Sequence, residues 1–163
     1  MKARPEYVWE KFFSAPIADV WRLWTEPQLF SAWYGPNVET LIHQMQVEKG
    51  GEARIEMQWA NNTSQYQKFA YRDVQPQEKL MWLQSVTDSN WQSLKIEGWP
   101  EYLLATVDIH KEAGKYCMHF TWSPFGEVSD AEIAGFKRAR LDMDSAWQSS
   151  LALFDEVLKS LEV

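Results

Sequence analysis

One cysteine, Cys117, stands among 163 residues, so no internal disulfide can close and the chain suits a reducing compartment. No apolar run approaches the ~20 residues that a membrane-spanning helix needs. The start, Met1-Lys2-Ala3-Arg4-Pro5-Glu6, leads into no apolar leader segment. A cytoplasmic chain without a membrane partner is expected. Basic runs are missing too: 16 Lys and Arg stand against 23 Asp and Glu, for a formal charge of −7, which argues against electrostatic capture of nucleic acid. The sequence contains no Gly-x-Gly-x-x-Gly, P-loop, nucleophile elbow, His-Glu-x-x-His or cysteine pair. We therefore assign no catalytic residue, cofactor or metal ligand. Repeats, low-complexity tracts and linkers are also lacking, and residues 1–163 read as a single domain.

Aromatic residues are abundant. Ten Trp, six Tyr and eight Phe exceed what a domain of this size requires, and 45% of the chain is apolar. Tyr7 to Phe13 reads as a strand stopped by Ser14-Ala15-Pro16. Ile17, Val20, Trp21 and Trp24 then recur at helical spacing, and Thr25 is expected to cap a second short helix with Pro27 just inside it and Gln28 as its capping-box partner. Gly35-Pro36 closes this helical region.

The middle reads as an antiparallel meander. A three-residue loop Lys49-Gly50-Gly51 would pair Val47 with Ala53, Met45 with Ile55, His43 with Met57 and Leu41 with Trp59, all on one apolar face. In a second hairpin with a Lys111-Glu112-Ala113-Gly114 loop, His110 pairs with Lys115. Leu103, Ala105, Val107 and Ile109 then share a face with Tyr116, Met118, Phe120 and Trp122. Gln65 to Val74 and Lys79 to Val86 supply two more strands whose inward parity the pattern leaves open. A capping box, Ser129 with Glu132, begins a long helix carrying Ile133, Phe136, Met143, Trp147, Leu151, Phe154, Leu158 and Leu161 on one stripe to about Leu161. Gly135 is expected to loosen its first turn. One apolar sheet face and one apolar helix stripe imply an α+β fold with the helix laid across a curved sheet.

Phe13-Ser14-Ala15-Pro16, Val20-Trp21-Arg22-Leu23-Trp24-Thr25-Glu26-Pro27 and Trp33-Tyr34-Gly35-Pro36 resemble the opening of proteins homologous to the C-terminal domain of the Hsp90 ATPase activator, within the START-like, or SRPBCC, superfamily. Gly50-Gly51, Asp73-Val74-Gln75-Pro76 before Lys79-Leu80, and Met143 to Trp147 with Leu151 follow in the same order. The resemblance implies a helix-grip fold: a bent antiparallel sheet of about seven strands gripping the C-terminal helix, two short helices after the first strand, and a cavity between them. It also implies hydrophobic or amphipathic ligands or partner proteins, with catalysis in some members.

The candidate ligand-lining residues are Trp24, Trp33, His43, Met57, Trp59, Trp82, Met118, Phe120, Trp122, Arg140, Met143 and Trp147. The tryptophans either fill a core or line a cavity. An inward His43 is either a satisfied core imidazole or a ligand-orienting or proton-transfer group. An inward Arg140 would anchor a carboxylate or phosphate. His110 and His119, with Cys117, are expected on the solvent face, Thr106 lying opposite His119. Asp142, Asp144, Asp155 and Glu156 are expected on a solvated helix face. Trp91 and Trp99 form either a lid or a packed loop. The function expected first is binding of a small hydrophobic or aromatic ligand. The alternatives are a protein-interaction module with a chaperone-like partner and, third, an enzyme of the cyclase or dehydratase kind using His43, Asp108 or Asp144. Edge strands admit a monomer or a homodimer.

Overall fold

The computed structural model describes residues 4–35 and 37–162; Met1-Lys2-Ala3, Pro36 and Val163 lie outside the described residues. The elements run β1 (Tyr7–Phe13), α1 (Ile17–Thr25), α2 (Pro27–Trp33), β2 (Glu39–Met45), β3 (Glu52–Gln58), β4 (Ser64–Gln75), β5 (Lys79–Thr87), β6 (Tyr102–Glu112), β7 (Lys115–Phe125), α3 (Asp130–Arg138) and α4 (Arg140–Ser160). All seven strands form one antiparallel sheet in the order β1-β7-β6-β5-β4-β3-β2. The first strand therefore lies beside the last, and β1 and β2 are the edges. Four helices belong to this α+β, helix-grip arrangement.

The β6–β7 hairpin has the faces that alternation predicts and a different register. Its loop is the two residues Ala113-Gly114, with φ of 52° and 81°, the left-handed pair of a type I′ turn. His110 pairs with Cys117, Ile109 with Met118, Val107 with Phe120 and Asp108 with His119. The slip from the expected pairing is two residues, so every side chain keeps its face. Thr106 lies opposite Thr121 instead of His119.

In β2 the expected alternation fails. Thr40 pairs with Met57 and Ile42 with Ile55, but Gln44 pairs with Arg54 and Met45 with Ala53, leaving His43 in a β-bulge. One extra residue inverts the facing on either side of it. A second bulge at Arg72 does the same to β4, where Phe69 and Tyr71 are buried and Val74 then pairs with the buried Leu80. That is why no single parity fits residues 65–74. β5 presents Leu80, Trp82 and Gln84 inward.

The helices cover the inward face. Pro16 precedes α1, which buries Val20, Leu23 and Trp24 and leaves Ile17 and Trp21 half-buried. Glu26, not Thr25, occupies the N-cap of α2, without a side-chain cap; the Thr25 hydroxyl donates back to the Trp21 carbonyl. Ser129 and Glu132 form the expected capping box, yet the long helix is broken at Ala139. There the Ala139 N–H is shared between the Gly135 and Phe136 carbonyls, a tightened final turn. The remaining 21 residues of α4 span about 30 Å, still enough to cross the sheet. Gly135 serves closeness: a Cβ there would sit 1.9 Å from the Gly98 carbonyl oxygen, so its bareness lets the 88–101 connection rest on α3.

The cap yields a pH prediction. Backbone and side-chain hydrogen bonds from Ser129 hold the Glu132 carboxyl below its usual value. A lowered folded value means that this stabilisation is present above the unfolded value of about 4.3 and lost as pH falls through the folded one. Ser129→Ala is expected to cost about 1 kcal/mol at neutral pH. Thermal melts between pH 3 and 7 should show Glu132→Gln losing part of the acid dependence.

Acidic residues on α4 clasp the edge strand instead of being simply solvated. Asp144 accepts a 2.8 Å hydrogen bond from the Tyr7 hydroxyl, and Lys11 meets Asp155 at 3.0 Å. Burial first, then the bond to Asp144, raises the Tyr7 phenol well above its ordinary value.

Candidate functional site

The interior between sheet and α4 is filled at one end and open at the other. α1 and α2 insert Trp24, Phe30 and Trp33, each at most 1% exposed. Trp24 packs edge-on to Trp33 at 4.7 Å and lies 5.9 Å from Trp82, while Trp33 meets Phe154 edge-on at 4.9 Å. Trp24, Trp33, Trp82, Met118 and Phe120 are therefore core, not lining. The correction has a physical cause: the short helices plug the space that a sheet and one helix would have left vacant. Phe120 is the hub of this packing, stacked on Trp9 at 5.1 Å and 4.6 Å from Trp147.

At the other end is a cleft of about 390 Å³, lined by Tyr34, Gly35, Met57, Gln65, Gln67, Trp122, Ala139, Asp142, Met143, Ala146, Trp147 and Ser150. This size is suited to a small molecule. Met57, Trp122, Met143 and Trp147 are the expected residues that meet there. Tyr34, Gln65, Gln67, Ala146 and Ser150 are not foreseen from the sequence. An adjoining hollow of about 470 Å³ shares Gln65, Gln67, Trp122 and Met143 and runs beneath Ile96 to Glu101. Trp99 borders it and packs on Phe136 at 5.9 Å. Trp91 lies elsewhere, on the outer face against Tyr66 and His43.

The cleft has a polar floor. Gln84 Oε1 accepts from the indole N–H groups of Trp82 and Trp122, both at 3.2 Å. Gln84 Nε2 donates to Gln67 Oε1 at 3.2 Å, which also accepts from the Tyr34 hydroxyl at 2.9 Å. Gln67 Nε2 in turn donates to Gln65 Oε1 at 3.0 Å. Burial drives the Tyr34 phenol far above its ordinary value, so it stays a donor throughout the accessible pH range. On the opposite wall, the Ser150 hydroxyl oxygen accepts from the Gly35 N–H at 3.3 Å.

Three expected lining residues lie outside the cleft. His43, carried outward by the bulge, bonds Glu56 at 2.8 Å with its side chain 46% exposed. The acid–base role considered for it loses its geometry. Asp108 pairs with the outward His119, and Asp144 is engaged by Tyr7. Trp59 is 39% exposed beyond the end of β3, because the strand stops at Gln58 and its alternation with it. Arg140 is exposed and borders a neighbouring depression of about 350 Å³ with Pro5, Glu6, Tyr7, Phe136 and Lys137, which adjoins the cleft at Met143.

One cluster of metal-ligand types sits on the outer face. Ligand atoms of His110, Glu112 and Cys117 lie within 4.8 Å of one another at the β6–β7 tip. Cys117 is fully buried there although its strand position faces outward, where its β1 partner is Phe12. Burial, then the charges of Glu10 and Glu112, raises the thiol above its usual value, so it is a poor nucleophile.

An open antiparallel sheet closed over a C-terminal helix, with an apolar cleft between the two, defines a helix-grip protein. Over residues 14–159 the sequence matches the family of Activator of Hsp90 ATPase homolog 1-like protein, and the chain belongs to that family, whose members commonly bind hydrophobic ligands. No curated protein matches it significantly. Among solved structures, an Arthrobacter aurescens protein superposes with a TM-score of 0.78 at 18% identity, covering 95% of this chain and 86% of its own. A Staphylococcus epidermidis protein gives 0.75 at 23%, covering 98% and 93%. A Rhodobacter sphaeroides protein gives 0.76 at 16%, covering 97% and 95%. At these identities the likeness establishes a common fold. No helix among the described residues is long and apolar enough to cross a membrane.

Proposed function

We propose that this protein binds a small hydrophobic or aromatic molecule in the cleft between α4 and the sheet. The observation that carries this reading is the cleft itself: about 390 Å³ walled by Met57, Trp122, Met143 and Trp147. A floor in which the Gln67 and Gln84 amides and the Tyr34 hydroxyl bond one another supports it, because those three groups tolerate an apolar guest. Aromatic walls favour a flat molecule that offers ring faces and edges.

Ligand-dependent thermal unfolding and isothermal titration with 2-ethylnaphthalene test the proposal. Saturable binding and a melting temperature that rises with probe concentration are expected. Ala146 lines the cleft from α4, half-buried, and Ala146→Trp should fill the space and abolish saturable binding while the fold persists. Absence of binding, or binding indifferent to Ala146→Trp, would refute the assignment.

A further inference from the structure

The floor of the cleft has a direction. Indole N–H groups can only donate, so the Gln84 amide atom facing Trp82 and Trp122 must be its oxygen. Gln84 Nε2 then faces Gln67, whose atom there must be oxygen, a choice reinforced by the Tyr34 hydroxyl donating to the same atom. Gln67 Nε2 therefore faces Gln65, and Gln65 must present its oxygen in turn. Each amide inherits its orientation from the one behind it, and the tryptophans set the first. The Gln65 NH2 group is left at the outer end, with no acceptor among the described residues, where the two hollows meet. Across the cleft, the Ser150 oxygen is taken by the Gly35 N–H, and its own O–H has no acceptor among the described residues. Ser150 is only 4% exposed.

Both walls thus carry free donors, while the side-chain oxygens of Gln67 and Gln84 each already accept two hydrogen bonds. The charged residues lining the two hollows are Asp142, Glu97 and Glu101, all acidic, so an anionic guest meets repulsion without a countercharge. Resting on the ligand-binding reading above, we infer that the cleft selects neutral aromatic or hydrophobic molecules bearing a hydrogen-bond acceptor, a ketone or ester carbonyl, held by the Gln65 amide N–H. The amide relay, anchored by Trp82 and Trp122, is the specificity device, and Gln65 is its reading end.

Titration calorimetry with three probes of one ring system tests this: 2-acetylnaphthalene, which carries a carbonyl, 2-ethylnaphthalene, which matches its shape without one, and 2-naphthoate, the anion. The ketone is expected to bind about 3- to 10-fold tighter than the hydrocarbon, the increment of one net hydrogen bond. The naphthoate should bind no better than the hydrocarbon. Gln65→Leu should bring the ketone-to-hydrocarbon ratio close to one, the ratio being read within the one variant. Gln65→Glu keeps an oxygen toward Gln67 but turns an acceptor to the guest, so it should drive the ratio below one. Equal binding of ketone and hydrocarbon by the unaltered protein, or a preference that survives in both Gln65 variants, overturns the inference and leaves the cleft as a binding site. Failure of all three probes to bind overturns the ligand-binding reading as well.

Discussion

Phe120→Ala is expected to destabilise the protein by about 4 kcal/mol, at the upper end of what a single truncation does. The ring is fully buried and lies between Trp9, Trp82, Trp122 and Trp147, with Trp24 stacked at 6.5 Å. Its removal opens a void bounded by large rigid indoles. Those rings cannot collapse into the gap as flexible aliphatic chains would, so the cavity cost adds to the lost transfer energy. Equilibrium urea unfolding provides the measurement, with the midpoint falling and the slope unchanged. A loss below about 1 kcal/mol would mean that the cluster relaxes and that Phe120 is not its hub.

The second large effect runs against hydrophobic intuition. Gln84→Leu puts an apolar side chain of similar size in a site only 7% exposed, yet it should cost about 3 kcal/mol. Trp82 and Trp122 each lose the acceptor of their indole N–H, and Gln67 loses one of the two donors on its oxygen. Buried donors without partners cost more than the extra apolar contact returns. In a domain of this size the melting temperature should fall by roughly 6–12 °C. A neutral or stabilising result would show that the amides do not form the connected chain described here, and the acceptor selectivity of the cleft would fall with it.

Much of this architecture is legible in the sequence wherever the deciding interactions are local. The Ser129–Glu132 box marks a helix start because both partners lie within one turn. The two faces of the β6–β7 hairpin are readable because alternation is strict there and a two-residue slip changes nothing. Where a bulge intervenes, reading stops. His43 sits in a sequence that alternates well enough to place it inside, and nothing in its neighbours announces the extra residue that turns it out to Glu56. Arg72 hides the corresponding change in β4. The cleft residues divide along the same line. Met143 and Trp147 follow from the helical stripe, and Met57 and Trp122 from strand parity. Which tryptophans fill space and which border it depends on where α1 and α2 dock, a contact between segments far apart in the chain. Gln65, Gln67 and Gln84 carry no sequence signal, since a glutamine on a strand ordinarily faces solvent. The meeting of β4 with β5, together with Tyr34 and the β7 residue Trp122, gives them their partners.

The place of β1 beside β7 governs how the molecule is made. Tyr7 to Phe13 emerges from the ribosome about a hundred residues ahead of its partners Tyr116 to Trp122. Synthesis at roughly 5–20 residues per second leaves that aromatic ribbon without its neighbour for about 5–20 seconds. Closing so long a loop is slow, and an unpaired strand of this composition is sticky while it waits. The newborn chain is thus most exposed to self-association before its last strand arrives, and shielding Tyr7 to Phe13 during translation should raise the yield of folded protein.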